Sequence, residues 1–293
     1  MKNPLTGIPS QSSFYKINLG ENSFSYEVHS HGEKKIIFLH GWCAAKYFWT
    51  PVLEEFLDLG ECITMDLLGH YPSRIASGFE SFTPEDLYRI QAEGIQKIAG
   101  EEKVILIGHS TGGMFALAIH AMYPDLVEKS IAITPVIHGP VKGLLSFAKV
   151  MADLKMSFSL DLSFEILKRF PNLFHFWFEQ AVYDGKGFVQ REDVKEFIEA
   201  YRPHFLKLNP YTMGTYLQIL NQSDLTPLLE KTKIKSLVIG GKEDKVVPVT
   251  QCHHIKEKCN YLDYKEFVHS GHIPLFEEKE ECVQYMIDWI LNT

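Results

Sequence analysis

Short apolar runs, rich in β-branched residues, alternate along the chain with longer segments whose apolar residues recur every three or four positions. The apolar runs occupy residues 35–39, 61–65, 104–107, 130–134 and 236–240. Runs of this length and composition favour strands that are buried on both faces. The segments between them with helical spacing are 48–59, 84–99 and 114–122. This alternation predicts an α/β fold with a mostly parallel central sheet and flanking helices.

The two ends of the chain add elements to this sheet. Residues 14–19 and 24–28 alternate between apolar and polar side chains, and the polar segment 20–23 between them contains Gly20. This pattern predicts a hairpin at the edge of the sheet. Near the other end, residues 261–268 favour a last strand and residues 278–291 a closing amphipathic helix.

The strand and helix alternation stops between two of the apolar runs. From residue 137 to residue 223 the sequence has only helical patterns, at 141–154, 171–182, 191–201 and 210–220. We therefore predict a core made of residues 1–136 and 224–293, with a helical lid at 137–223 inserted late in the sheet.

The run at 104–107 leads into the pentapeptide Gly108-His109-Ser110-Thr111-Gly112, and a segment of small, helix-favouring residues follows at once. A strand, a tight turn and a helix are predicted, with one hydroxyl at the apex. Only small side chains fit beside such a turn, which accounts for a glycine at each end. Here the chain resembles the nucleophile elbow of the α/β-hydrolase family.

The resemblance implies that Ser110 is a nucleophile with an acid and a histidine later in the chain. Asp244 follows the predicted strand at 236–240, and His272 follows the last predicted strand, 28 residues after Asp244. Glu243 and His269 are alternatives for these two roles. Asp244 is preferred because it comes just before a Lys-x-x-Pro turn, as in family members. His272 is preferred because Gly precedes it and an apolar residue and Pro follow it.

The segment Phe38-Leu-His-Gly-Trp-Cys43 resembles the family's His-Gly loop. That resemblance implies that the backbone N–H groups of Trp42 and Thr111 form an oxyanion hole, and that His40 has a structural role. Residues 66–73 resemble the family's Asp-x-x-Gly-x-Gly-x-Ser loop, except that Tyr71 stands where glycine is usual. The shape of this loop therefore does not follow from the family pattern.

Together these motifs imply a serine hydrolase that cleaves a carboxylic ester or thioester through an acyl-enzyme, without a cofactor. Aromatic residues of the lid predict an apolar acyl pocket, and Trp42, Phe174 and Trp177 are the candidate substrate contacts. The same family includes carbon–carbon bond hydrolases and aminopeptidases, which are alternative activities. A receptor that binds a small ligand on the hydrolase scaffold is an alternative of another class.

One further resemblance concerns a partner. Residues 39–43 together with Trp49 look like the esterases that cleave the methyl ester of pimeloyl-acyl carrier protein in biotin synthesis. This resemblance implies an acidic acyl carrier protein as a partner. Its docking surface would be the cationic residues of the lid, Lys149, Lys168, Arg169, Arg191 and Arg202.

Composition narrows the other possibilities. The 293 residues carry a net charge of −8, and the sequence has no Lys/Arg-rich stripe. We therefore expect no nucleic-acid partner. No apolar stretch reaches the length of a membrane span, and no signal-peptide pattern opens the sequence. Five scattered cysteines do not suggest a disulfide framework, so we expect a cytoplasmic enzyme. Cys252, His253, His254 and Cys259 lack the spacing of a zinc site, and no metal is predicted.

Overall fold

The computed structural model describes residues 13–139, 162, 164–167 and 169–293. Eight strands of these residues form one sheet in the order β1-β2-β4-β3-β5-β6-β7-β8. They are β1 (Ser13–Leu19), β2 (Asn22–Val28), β3 (Lys35–Leu39), β4 (Glu61–Met65), β5 (Val104–His109), β6 (Val127–Ile133), β7 (Ser236–Gly241) and β8 (Asp263–Phe267). In this order, every neighbouring pair from β4 to β8 is parallel. The β1–β2 and β2–β4 pairs are antiparallel. The mostly parallel sheet that the apolar runs predict is confirmed.

The central strands divide their side chains between two cores. Ile37 and Leu39 belong to one apolar cluster, and Ile36 and Phe38 belong to the cluster on the other face. This division follows from the alternating direction of side chains along a strand. Because both faces are covered, every position of these strands has to be apolar, which explains the continuous runs in the sequence.

The following α-helices have both ends within the described residues. They are α1 (Pro84–Ala99), α2 (Thr111–Met122), α3 (Pro171–Ala181), α4 (Gly185–Gln190), α5 (Glu192–Phe205), α6 (Pro210–Leu220), α7 (Thr226–Lys231), α8 (Thr250–Lys258), α9 (Pro274–Glu277) and α10 (Lys279–Asn292). Helix α1 has the predicted bounds because Thr83 and Asp86 form a capping box at its start and Gly100 ends it. None of the helices of the described residues is long and apolar enough to cross a bilayer.

The α-helix expected at 48–59 is wrong. The segment forms two short 3₁₀ helices, Lys46–Trp49 and Leu53–Leu59, with Pro51 between them. Proline lacks the backbone N–H that a continuous helix would need there, and its ring clashes with the preceding turn. The apolar spacing is still used, because Phe48, Trp49 and Phe56 are buried.

Helices α3 to α6 lie between β6 and β7, and we call them the helical insertion. Three of them fall where helical patterns predicted them, whereas α4 was not predicted. The expected helix at 141–154 lies outside the described residues. The insertion packs on the sheet through buried side chains of α5, including Phe197, Tyr201 and Phe205. It therefore adjoins the sheet face that carries Ile36 and Phe38.

Candidate active site

Ser110 lies in the turn between β5 and α2. Its φ and ψ are 54° and −116°, which is a costly conformation for a residue with a Cβ atom. A Cβ atom on Gly108 would lie 2.1 Å from the carbonyl oxygen of Gly112, and one on Gly112 would lie 2.1 Å from that of Leu39. The turn therefore requires both glycines. It holds the Ser110 side chain at the carboxyl end of the central strand β5.

Asp244 and His272 lie in the loops that follow β7 and β8. The His272 Nδ1–H donates to Asp244 Oδ2 at 2.7 Å. The other carboxylate oxygen accepts hydrogen bonds from the backbone N–H groups of Val246 and Val247, both at 2.8 Å. The Asp244 side chain is 1% exposed and that of His272 is 9% exposed. Because the proton is on Nδ1, Nε2 is the ring nitrogen with a lone pair for accepting a proton.

The His272 loop is also joined to the residue before Ser110. The His272 carbonyl oxygen accepts hydrogen bonds from His109 Nε2 at 2.8 Å and from Thr134 Oγ1 at 2.9 Å. The rings of His109 and His272 meet edge to face with centroids 4.8 Å apart. Within the described residues no hydrogen bond links the Ser110 hydroxyl to the His272 ring. Bonds of this kind are commonly long before a substrate binds.

The two alternative residues are placed differently. Glu243 and His269 are both exposed. His269 contacts the ring of Tyr183, with centroids 5.8 Å apart. The structure thus brings Asp244 and His272 together and leaves their rivals at the surface. Roles for Asp244 and His272 in a reaction stay a prediction.

The loop after β3 touches the serine turn. A Cβ atom on Gly41 would lie 3.2 Å from the Cβ of Ser110, so only glycine allows this approach without a shift. The backbone N–H groups of Trp42 and Thr111 donate to no other described residue. The oxyanion hole formed by these two donors stays a prediction.

The His40 ring makes two hydrogen bonds to backbone groups at this loop. Its Nδ1 donates to the Gly41 carbonyl at 2.8 Å, and its Nε2 accepts from the Leu67 N–H at 3.0 Å. Burial lowers the pKa of His40 well below its usual value. The ring is therefore neutral, as one donor and one acceptor require, and a structural role for His40 stays a prediction that these two bonds support.

A buried ion pair holds the far end of the same loop. Lys46 Nζ lies 2.9 Å from Asp66 Oδ2, and the Lys46 backbone N–H donates to Asp66 Oδ1 at 2.8 Å. Burial raises the pKa of Asp66 to about 6, and the Lys46 charge opposes that rise. Sequence reasoning missed Lys46, because a lysine without a visible acidic neighbour is expected at the surface. The unusual Tyr71 is 41% exposed, with Lys207 Nζ 5.1 Å from its ring.

Three hydrogen bonds tie the helical insertion to these loops. The Tyr201 hydroxyl donates to the Cys43 carbonyl. Trp42 Nε1 donates to the Met213 carbonyl at 3.0 Å. The His272 backbone N–H donates to the Ala181 carbonyl at 2.7 Å. Sequence reasoning missed all three, since bonds to backbone carbonyls leave no residue pattern.

Aromatic rings surround the residue before Ser110. Phe48 stacks on the ring of His109 with centroids 4.6 Å apart. The same Phe48 lies against Phe276 at 5.1 Å and Phe197 at 6.2 Å. Burial lowers the pKa of His109 well below its usual value, which is consistent with this apolar setting. The serine turn is therefore flanked by apolar side chains from both the core and the insertion.

The candidate substrate contacts have different surroundings. Phe174 is buried in the insertion against Phe178, Tyr201 and Phe205. Trp177 is 42% exposed. A role in substrate binding stays a prediction for both, as it does for Trp42.

No group of three or more His, Cys, Asp or Glu side chains in the described parts of the chain has an arrangement that could hold a metal ion. The cysteines at 43, 62, 252, 259 and 282 are all buried and free. Burial raises the pKa of the Cys43 thiol well above its usual value, so the thiol beside Trp42 is not activated as a nucleophile.

The sequence profile of a family described as the alpha/beta hydrolase fold matches residues 34–279. The match covers most of the chain and includes the serine turn and the loops after β3, β7 and β8. The chain belongs to the α/β-hydrolase fold family.

Relatives of this α/β hydrolase include enzymes with several substrates. It is 27% identical over 292 residues to a 2-hydroxy-6-oxo-6-phenylhexa-2,4-dienoate hydrolase of Comamonas testosteroni, with 95% of this chain and 96% of the relative covered. It is 27% identical over 257 residues to a pimeloyl-[acyl-carrier protein] methyl ester esterase of Vibrio parahaemolyticus, with 85% and 91% covered. A thermophilic esterase of Thermogutta terrifontis has the same fold, with a TM-score of 0.74, 19% identity, and 96% and 98% of the two chains covered.

Proposed function

We propose that this hydrolase cleaves a carboxylic ester or thioester with an apolar acyl group, through Ser110, His272 and Asp244. The observation that carries the proposal is the buried His272 to Asp244 hydrogen bond beside a strained serine turn. A serine hydroxyl is a weak nucleophile at neutral pH and needs a base that a third group orients. In this proposal His272 is the base and Asp244 is the group that orients it.

In the proposed reaction the Ser110 oxygen attacks the substrate carbonyl while His272 Nε2 takes its proton. The N–H groups of Trp42 and Thr111 bind the oxyanion of the tetrahedral intermediate. His272 then returns the proton to the leaving group, and an acyl-enzyme remains on Ser110. Water, deprotonated by His272, attacks the acyl-enzyme and releases the acid. Asp244 stabilises the imidazolium in both halves of the reaction.

The rings near the serine turn support an apolar acyl group. Phe48 stacks on His109, and Phe197 and Phe276 pack against Phe48, so an acyl chain of a substrate bound at Ser110 would meet apolar surface there. In this proposal the helical insertion acts as the lid over the substrate, with its boundaries near residues 137 and 223.

The test is Ser110→Ala assayed together with wild type on p-nitrophenyl esters of rising chain length. We expect wild-type turnover, covalent labelling by a fluorophosphonate, and loss of both in the variant by a factor of about 10³ or more. Ser77→Ala, at an exposed serine, is the matched control and should behave as wild type. Turnover by Ser110→Ala at the wild-type rate would overturn the proposal. Retention of one ligand without turnover by wild type would favour a receptor.

A carbon–carbon bond hydrolase is the second candidate. The relative from Comamonas that spans 95% of this chain is named for a 2-hydroxy-6-oxo-dienoate substrate. The same Ser110 attack on the 6-oxo group would release a carbon leaving group that must be protonated. Loss of the dienoate absorbance at a kcat/KM above that for every ester would favour this candidate over the esterase.

The relative from Vibrio is named for an ester carried by an acyl carrier protein, which supports such a carrier as the partner in the ester reaction. Of the expected docking residues, Lys149 and Lys168 lie outside the described residues. Arg169 is exposed, while Arg191 pairs with Asp193 at 2.6 Å. Faster hydrolysis of a pimeloyl methyl ester on its carrier than of the free ester, with the difference lost in Arg169→Glu, would support the partner.

A further inference from the structure

Glu277 lies five residues after His272, at the end of the short helix α9. Its Oε1 accepts hydrogen bonds from the backbone N–H groups of Gly271 at 2.9 Å and Ile273 at 3.1 Å. These two N–H groups belong to the residues on either side of His272. The carboxylate therefore brackets the backbone that carries the imidazole.

The same carboxylate reaches the helical insertion. Its Oε2 accepts a hydrogen bond from the Tyr183 N–H at 2.6 Å, just beyond the end of α3. In this region the two backbones touch, because a Cβ atom on Gly271 would lie 2.6 Å from the Ala181 carbonyl oxygen and 2.8 Å from the Val182 Cα. One side chain thus joins the His272 loop and the insertion where their backbones touch.

We propose that Glu277 is a positioning residue for His272, which fixes the loop of the general base and couples that loop to the helical insertion through Tyr183. The inference rests on the proposed function, since it assigns Glu277 to the base of that reaction. Glu277 itself touches neither Ser110 nor Asp244 in the described contacts.

The charged groups around the His272 loop favour an electrostatic effect of Glu277 on the imidazole, in addition to its hydrogen bonds. Burial raises the pKa of Glu277, while the three N–H groups and the His272 ring lower it. Asp244 binds the other side of the imidazole, and His109 lies against the ring. Arg191 donates to the Phe276 carbonyl and pairs with Asp193.

Two more ionisable groups lie in the same loop. Glu278 accepts a hydrogen bond from the Ser270 hydroxyl at 2.6 Å, and His269 packs on Tyr183 at the surface. Of these groups, Glu277 is the one whose carboxylate bonds to both backbone neighbours of His272. An ionised Glu277 stabilises the imidazolium, as any nearby anion does.

The experiment compares Glu277→Gln, Glu277→Asp and wild type on a p-nitrophenyl ester that wild type turns over through Ser110. Glutamine keeps the shape and removes the charge, whereas aspartate keeps the charge and shortens the reach. Glu280→Gln removes an exposed charge from the first turn of α10 and is the matched control. For each protein kcat, KM, the pH profile of kcat/KM and Tm are measured.

We expect kcat of Glu277→Gln to fall about 10- to 100-fold with KM within about threefold, because a displaced base affects the chemical step more than substrate binding. The acid limb of the kcat/KM profile should move to lower pH in Glu277→Gln, because the imidazolium loses a neighbouring anion and releases its proton more readily. Glu277→Asp should lose kcat while its acid limb stays in place. Glu280→Gln should match wild type in all four measurements.

A wild-type kcat and an unmoved acid limb in a folded Glu277→Gln would overturn the inference. A Glu277→Gln protein that does not fold would overturn it too, because the carboxylate would then serve the fold and not the base. Absence of Ser110-dependent turnover in wild type would instead remove the proposed function, so the two failures are distinguishable.

Discussion

The loops that follow the strands and the helices that interrupt them contribute to the candidate site in different ways. Ser110, Asp244 and His272 each follow a strand of the sheet, and their side chains carry the polar groups. The insertion contributes mainly backbone groups, such as the Ala181 carbonyl, which bond to these loops. Under the proposed function, the loops of the sheet would supply the reacting side chains and the insertion would hold these loops in position.

The strongest test of this division is on the sheet side, at Asp244. Asp244→Asn should keep the loop but orient the wrong imidazole nitrogen toward Ser110, and we expect kcat to fall by about 10⁴. Steady-state kinetics on the best ester measures this, and the exposed Glu243→Gln serves as the control. A loss smaller than tenfold would show that Asp244 is not the partner of the base.

A smaller effect is expected where the two regions touch. In Gly271→Ala the new methyl group meets the Ala181 carbonyl at 2.6 Å, so either the His272 loop or the insertion has to move. We expect a loss of about 1–3 kcal/mol in the free energy of unfolding, and a drop in kcat besides. Thermal unfolding and ester kinetics measure the two effects.

The control for that variant is Gly100→Ala. Gly100 has a φ of +68° with no atom within 4 Å of the added Cβ, so alanine there strains the backbone without a clash. It should lower stability and leave kcat unchanged. If Gly271→Ala also left kcat unchanged, contact between the insertion and the His272 loop would have no bearing on the reaction.

The smallest effect is expected on the insertion side, at Tyr201. Tyr201→Phe removes the hydroxyl that donates to the Cys43 carbonyl. We expect a loss of about 1 kcal/mol in stability and a fall of a few-fold in kcat, with KM for apolar esters nearly unchanged. The control is Tyr211→Phe, also in the insertion, which removes the hydroxyl that an exposed tyrosine donates to Glu80. This variant should have the wild-type kcat. Equal kinetics for the two variants would contradict a positioning role for the insertion.

Much of the sheet could be predicted because its signals are local. The run Val104 to Ile107 had to be apolar at every position for a strand covered on both faces, and the helical spacing at 84–99 predicted α1 with its observed bounds. The elbow was readable for the same reason at Gly108, because a Cβ atom there would meet the Gly112 carbonyl within the same pentapeptide.

The rest of the site depends on contacts between distant segments, which leave no pattern in a single sequence. In the sequence Lys46 has no visible acidic partner, because Asp66 lies 20 residues away. Glu277 likewise looks like a solvated helix terminus, because its partner Tyr183 lies 94 residues away. The error at 48–59 has a different cause. The apolar spacing there predicted one helix, although the local signal against it, Pro51, was visible in the sequence.

The hydrogen bond from the His272 N–H to the Ala181 carbonyl has a consequence for inhibition. Under the proposed function, a compound that binds between α3 and this loop would inactivate the enzyme by displacing His272, without competing with substrate. Selectivity among family members would then depend on the sequence of the inserted helices and not on the shared catalytic machinery.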